Sequence, residues 1–103
     1  MNESPLSKYN WANGQPSIEI DSYQHTRVGF EALVGKLARA LDLPKPKIKA
    51  DGIPDIPSLM SYETEFVVGE EKIEFEMNEY SCTIGFQTEK LRDEVYSKFL
   101  AFI

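Results

Sequence analysis

Apolar and polar positions alternate most regularly between residues 62 and 86. Tyr62, Thr64, Phe66 and Val68 alternate with Glu63, Glu65 and Val67. Ile73, Phe75 and Met77 alternate with Lys72, Glu74 and Glu76, and Tyr80, Cys82, Ile84 and Phe86 with Ser81, Thr83 and Gly85. A period of two belongs to a strand with one buried face, so this stretch reads as a three-stranded antiparallel meander. A two-residue loop at Gly69-Glu70 sets Phe66 opposite Ile73 and Thr64 opposite Phe75. A second at Asn78-Glu79 sets Met77 opposite Tyr80 and Phe75 opposite Cys82. Both registers hold the apolar side chains on one face, and a slip by one residue would turn all of them outward.

The flanking segments carry other periods. In Ser17–Tyr23, Ile18 and Ile20 alternate with Glu19 and Asp21, which predicts another strand. Thr26 is an N-cap candidate for a helix whose stripe is Phe30, Leu33, Val34, Leu37, Ala38 and Leu41. Gly29 and Gly35 each cost that helix about 1 kcal/mol relative to Ala, and Leu43-Pro44 ends it. A second helix starts after Thr88, with Glu89 in its first turn. Its stripe is Leu91, Val95, Phe99 and Phe102, widened by Tyr96 and Ile103.

Four prolines between Pro44 and Ser58 exclude helix there. That segment reads as a crossover with room for a short edge strand near Ile48. Ile48, Ile53 and Ile56 are expected to pin it, leaving Lys45, Lys47 and Lys49 solvated. Met1–Pro16 reads as an irregular arm with a turn at Asn13-Gly14, Trp11 packing back onto the domain. The expected architecture is one α+β domain over residues 17–103, in the order β-α-β-β-β-α. It is a two-layer sandwich: a mostly antiparallel four-stranded sheet with two helices on one face and water on the other.

Composition narrows the classes. The chain has 103 residues and one cysteine, Cys82, so it is sized for one core and cannot form an internal disulfide. No apolar run spans a bilayer and the first residues have no apolar leader core, which leads to the expectation of a cytoplasmic protein. The net charge is −6, and its distribution says more than its size. Residues 1–59 hold seven acids and seven bases, and residues 81–103 hold three of each. Residues 60–80 hold seven glutamates, namely Glu63, Glu65, Glu70, Glu71, Glu74, Glu76 and Glu79, against Lys72 alone. A surface of this sign argues against direct binding to nucleic acid or an anionic membrane, both of which require Lys and Arg.

Combining charge with alternation gives the central expectation. If the apolar sides face the helices, then Glu19, Asp21, Glu63, Glu65, Glu74 and Glu76 point outward on the bare face. Glu65 then stands opposite Glu74 and Glu63 opposite Glu76. Like charges directly opposite are destabilising, by an amount within the ~0.2–1 kcal/mol of cross-strand pair effects. Acidic residues on a sheet also deter aggregation, but mixed charges would do so without repulsion.

No catalytic, cofactor or metal motif is present. Six carboxylates on a flat sheet supply no pocket in which one of them would stay protonated. Asp51-Gly52 with Asp55 reads as a turn, not a calcium loop. A Cys82–His25 dyad lacks a third orienting group, and Cys82 falls on the inward side of its strand. The expected function is a non-enzymatic inhibitor of the immunity or antitoxin kind. It would dock Glu63, Glu65, Glu74 and Glu76, with Glu19 and Asp21 beside them and Glu70, Glu71 and Glu79 as rim, over the cationic groove of a basic partner, for example a nuclease-type toxin. The chain itself is expected to be a monomer or weak dimer. Two rivals remain: a structural or regulatory subunit that assembles through its open sheet or the 44–58 loop, and a small enzyme binding an anionic ligand through Lys45, Lys47 and Lys49 in a cleft between the 44–58 loop and the sheet.

Overall fold

The computed structural model describes residues 5–103. Six strands form one antiparallel sheet: β1 (Leu6–Asn10), β2 (Pro16–Ile20), β3 (Lys49–Asp51), β4 (Ser61–Val68), β5 (Glu71–Met77) and β6 (Cys82–Gly85). Their spatial order is β1-β2-β6-β5-β4-β3. Two helices, α1 (Arg27–Leu41) and α2 (Glu89–Leu100), complete an α+β fold, with a single turn of 3₁₀ helix at Pro57–Leu59. Both helices bury their stripes in one core with the inward side of the sheet. Phe30, Val34 and Leu37 from α1 and Leu91, Val95 and Phe99 from α2 pack with Ile18, Ile73, Phe75 and Ile84. The Phe30 ring meets Phe75 edge-on at 5.0 Å, a favoured aromatic geometry.

The sheet has six strands where four were expected, because both edge strands of the expected sheet, β2 and β4, gain a partner. Residues 6–10 are not irregular: they pair with β2 in the register Leu6↔Ile20 to Asn10↔Pro16. Of the rest of the expected arm, Pro16 opens β2, and residues 1–4 lie outside the described residues. The pairing is reinforced from α2. Arg92 Nη1 donates to the Tyr9 carbonyl oxygen at 3.1 Å and to Asn10 Oδ1 at 2.7 Å, and the Tyr96 hydroxyl donates to the Leu6 carbonyl at 3.2 Å. Lys8 lies over the Tyr96 ring and 3.5 Å from Asp93. At the other edge, β3 pairs with Ser61–Glu63 of β4. The full order is therefore β-β-α-β-β-β-β-α, and β2 inserts beside β6.

The β4–β5 hairpin has the register that alternation predicts: Phe66↔Ile73, Glu65↔Glu74, Thr64↔Phe75 and Glu63↔Glu76. The next hairpin does not. Met77 pairs with Cys82 and Phe75 with Ile84, so the loop is four residues, Asn78–Ser81. The Asn78 side chain is the cause: its Oδ1 accepts from the Tyr80 and Ser81 backbone N–H groups at 2.8 and 2.9 Å, closing the wider turn. Inward and outward faces survive a shift of two, but Tyr80 leaves the strand and stands 88% exposed.

Other boundaries also move. The first predicted strand stops at Ile20, and Asp21 lies in a bend. Helix α1 ends at Leu41 because Asp42 takes a left-handed conformation, φ 55°, before Leu43-Pro44 is reached. Phe102 lies past the end of α2 and is exposed, while Leu100 and Ile103 pack against the core. Of the three expected crossover pins only Ile48 packs against the core; Ile53 and Ile56 are exposed.

Candidate functional site

The face of the sheet turned away from the helices is built from two cross-strand rows. Ser7, Glu19, Thr83, Glu76, Glu63 and Lys49 are successive partners from β1 to β3. Tyr9, Ser17, Gly85, Glu74 and Glu65 form the adjoining row. Glu63, Glu65, Glu74 and Glu76 are all exposed and stand as two directly opposed pairs on neighbouring strands. Three ion pairs occur among the described residues, Lys8–Asp93, Arg27–Glu31 and Arg92–Asp93, and none includes these four glutamates.

The remaining expected site residues do not all gather there. Glu19 shares a row with Glu76 but is separated from it by Thr83 and is half-buried. Asp21, beyond the end of β2, accepts a hydrogen bond from the Ser7 hydroxyl at 2.9 Å. Glu71 is occupied by the opposite layer's entry turn: the Thr88 hydroxyl donates to its Oε1 at 2.7 Å. Glu70 and Glu79 are exposed in hairpin turns at opposite ends of β5, the whole strand length apart.

Two further features belong to this face. One is basic, at the lysines the anionic-ligand reading singled out, although Lys45 is not among the cleft's lining. Lys47 and Lys49, with Pro46, form one wall of an open cleft of about 370 Å³ whose other lining includes Glu63, Glu65, Glu74 and Glu76. The Thr64 hydroxyl holds that wall in place by donating to the Lys47 carbonyl at 2.6 Å. The other is aromatic. Trp11 leaves the end of β1 on the bare side, half-buried, and its indole N–H donates to the Tyr9 hydroxyl. It packs over Gly85: a Cβ there would lie 3.6 Å from Trp11 Cη2 and 2.9 Å from Gln15 Nε2. The signal for both strands of this hairpin was present in the sequence, since Asn13-Gly14 stands between two strand-length runs. Alternation alone does not mark the first run as a strand, because Leu6 to Asn10 has only one strongly apolar member on its inward side.

Elsewhere the titratable groups have structural partners. His25 Nε2 lies 2.6 Å from the Met60 carbonyl oxygen, which can only accept, so the ring carries its proton there. Cys82 lies on β6, two strands from β4, about 10 Å at ordinary sheet spacing, and it is buried. Burial pushes its thiol up to about 12, which leaves it protonated at neutral pH and a poor nucleophile. Burial likewise raises the Tyr23 hydroxyl, whose proton is donated to the Asn78 carbonyl at 3.1 Å. Among the described residues no group of three or more His, Cys, Asp or Glu side chains could hold a metal ion, and no helix is long and apolar enough to cross a membrane.

No protein-family model, curated protein or solved structure matches this chain.

Proposed function

We propose that this protein is a non-enzymatic inhibitor that covers the cationic groove of a basic protein with the bare face of its sheet. The immunity or antitoxin proteins that neutralise nuclease-type toxins are the concrete form of this reading, and such an inhibitor would work in the cytoplasm. One observation carries it: Glu65 faces Glu74 and Glu63 faces Glu76 on exposed neighbouring strands, and among the described residues no cation, Lys49 opposite Glu63 included, comes within ion-pair distance of any of them. A folded domain gains nothing internally from that arrangement, because the pairs repel. A partner rich in Lys and Arg would turn the repulsion into attraction and charge-assisted hydrogen bonds. Such contacts need no enclosed pocket, and the cleft these glutamates line is open.

The anionic-ligand enzyme fits the same surface less well. Lys47 and Lys49 do line the cleft, but four carboxylates line it with them and His25 is engaged elsewhere. Assembly of two copies face to face would set these glutamates against each other.

The test is capture of basic proteins at low salt on immobilised wild-type chain and on Glu65→Lys/Glu74→Lys, with salt elution. The proposal expects a basic protein held by the wild type and released by salt, and absent from the reversed variant. The same protein held equally by both, or held regardless of salt, would overturn it.

A further inference from the structure

The bare face has an aromatic end as well as an acidic one. Trp11 is the chain's single tryptophan, yet it belongs neither to the buried core nor to the half-buried residues packed against that core. The core is filled instead by phenylalanines, Phe30, Phe75, Phe86 and Phe99. The indole stands on the water-facing side, with its N–H satisfied by Tyr9 and its ring edge against Gly85. Gly85 is the cross-strand partner of Glu74, and Glu74 of Glu65. The missing Cβ at Gly85 makes room for the Gln15 side-chain amide and the Trp11 ring edge, which cover that position and bring the aromatic wall up to the carboxylate ridge. Ser17 and Thr83, the cross-strand neighbours of Gly85 and Glu19, are small and likewise covered.

We propose that Trp11, backed by Tyr9, is an arginine-stacking anchor: a guanidinium from the basic partner lies against the indole while its N–H groups reach Glu74. This inference rests on the reading of the face as a docking surface for a basic protein, and adds which cation that surface selects. A carboxylate alone accepts lysine and arginine alike. A π-face beside a carboxylate favours the planar, weakly hydrated guanidinium, which stacks and hydrogen-bonds at the same time. Tryptophan and tyrosine held in place before binding are also the residue types that dominate interface energetics.

The experiment titrates the full chain with nona-arginine and with nona-lysine at low salt and follows the emission of Trp11. Nona-arginine is expected to change the emission strongly and nona-lysine weakly, at matched saturation. Trp11→Leu is expected to weaken nona-arginine binding about tenfold, with Trp11→Phe retaining most of it, and to leave nona-lysine binding unchanged. Equal emission changes with both peptides, or unchanged nona-arginine affinity in Trp11→Leu, would overturn the inference. The first of these comparisons uses only the wild type, so it stands even where a Trp11 variant folds poorly. Glu65→Lys/Glu74→Lys separates the two levels. Loss of both peptides there, with Trp11→Leu binding normally, removes the aromatic anchor alone. Retention of both peptides removes the acidic docking face together with it.

Discussion

Gly29 sits in the first turn of α1, where a Cβ would stand 2.5 Å from the Gln24 carbonyl oxygen and 3.0 Å from the Thr26 hydroxyl. By propensity alone Ala would improve this helix by about 1 kcal/mol. The close approach reverses the sign. Its N–H also donates to Thr26 Oγ1 at 2.9 Å, so the same clash disturbs the cap. Gly29→Ala is expected to destabilise by about 2 kcal/mol, read as a lowered urea midpoint; a raised midpoint would show that the turn relaxes freely. Cys82 gives the pH prediction at this scale. Its folded thiol is raised to about 12, well above the ordinary cysteine value, so folding is favoured by neutral thiol. The associated stability is complete below the unfolded thiol's pKa and drains away as pH climbs from there toward 12. Wild type should therefore lose more stability than Cys82→Ala between pH 8 and 10.5, values chosen to straddle roughly the unfolded thiol. A thiol-specific reagent should react slowly with native protein and rapidly in denaturant.

At the scale of elements, α2 ties three parts of the molecule together. Its N-cap Thr88 accepts from the Leu91 N–H at 3.3 Å and donates to Glu71 at the start of β5. Thr88→Ala should cost about 1 kcal/mol in chemical denaturation, and an unchanged midpoint would mean that neither bond contributes. The β4–β5 hairpin is the element on which the functional reading turns. Glu65→Thr removes one member of an opposed pair and supplies a good strand residue, so it should raise stability by ~0.2–1 kcal/mol at low salt. The gain should shrink as salt screens the repulsion. This hairpin was also the most legible element, because turn and alternation agree on a single register. β1 was only weakly legible: Asn13-Gly14 marks a turn after it, but its strand is held by Arg92 and Tyr96 from the far end of the chain, which no local pattern announces. The four-residue turn at Asn78 escaped for a related reason: a shift by two leaves every side chain on its own face, so hydrophobicity does not distinguish the registers. The four glutamates could be placed together from the sequence, whereas Trp11 could not, because its position depends on β1.

At the scale of the whole molecule, charge separates the two layers. The sheet's bare side gathers a carboxylate ridge in which acids outnumber the flanking Lys47 and Lys49 at one edge, with Trp11 at the other. The opposite side carries both helices and the core. Self-association through the ridge is opposed by its own sign, so light scattering should report a monomer at low salt; a dimer there that dissociates on charge reversal of Glu65 would favour an assembling subunit instead. Long-range attraction acts mainly on encounter, while short-range contacts set dissociation. The most direct measurement is the association rate of the chain with its captured basic partner, taken across ionic strength for wild type and Glu65→Lys/Glu74→Lys. The wild-type rate should fall steeply with added salt, and the variant rate should be far slower at low salt with a dissociation rate changed much less. Equal, salt-independent association rates for the two proteins would contradict it.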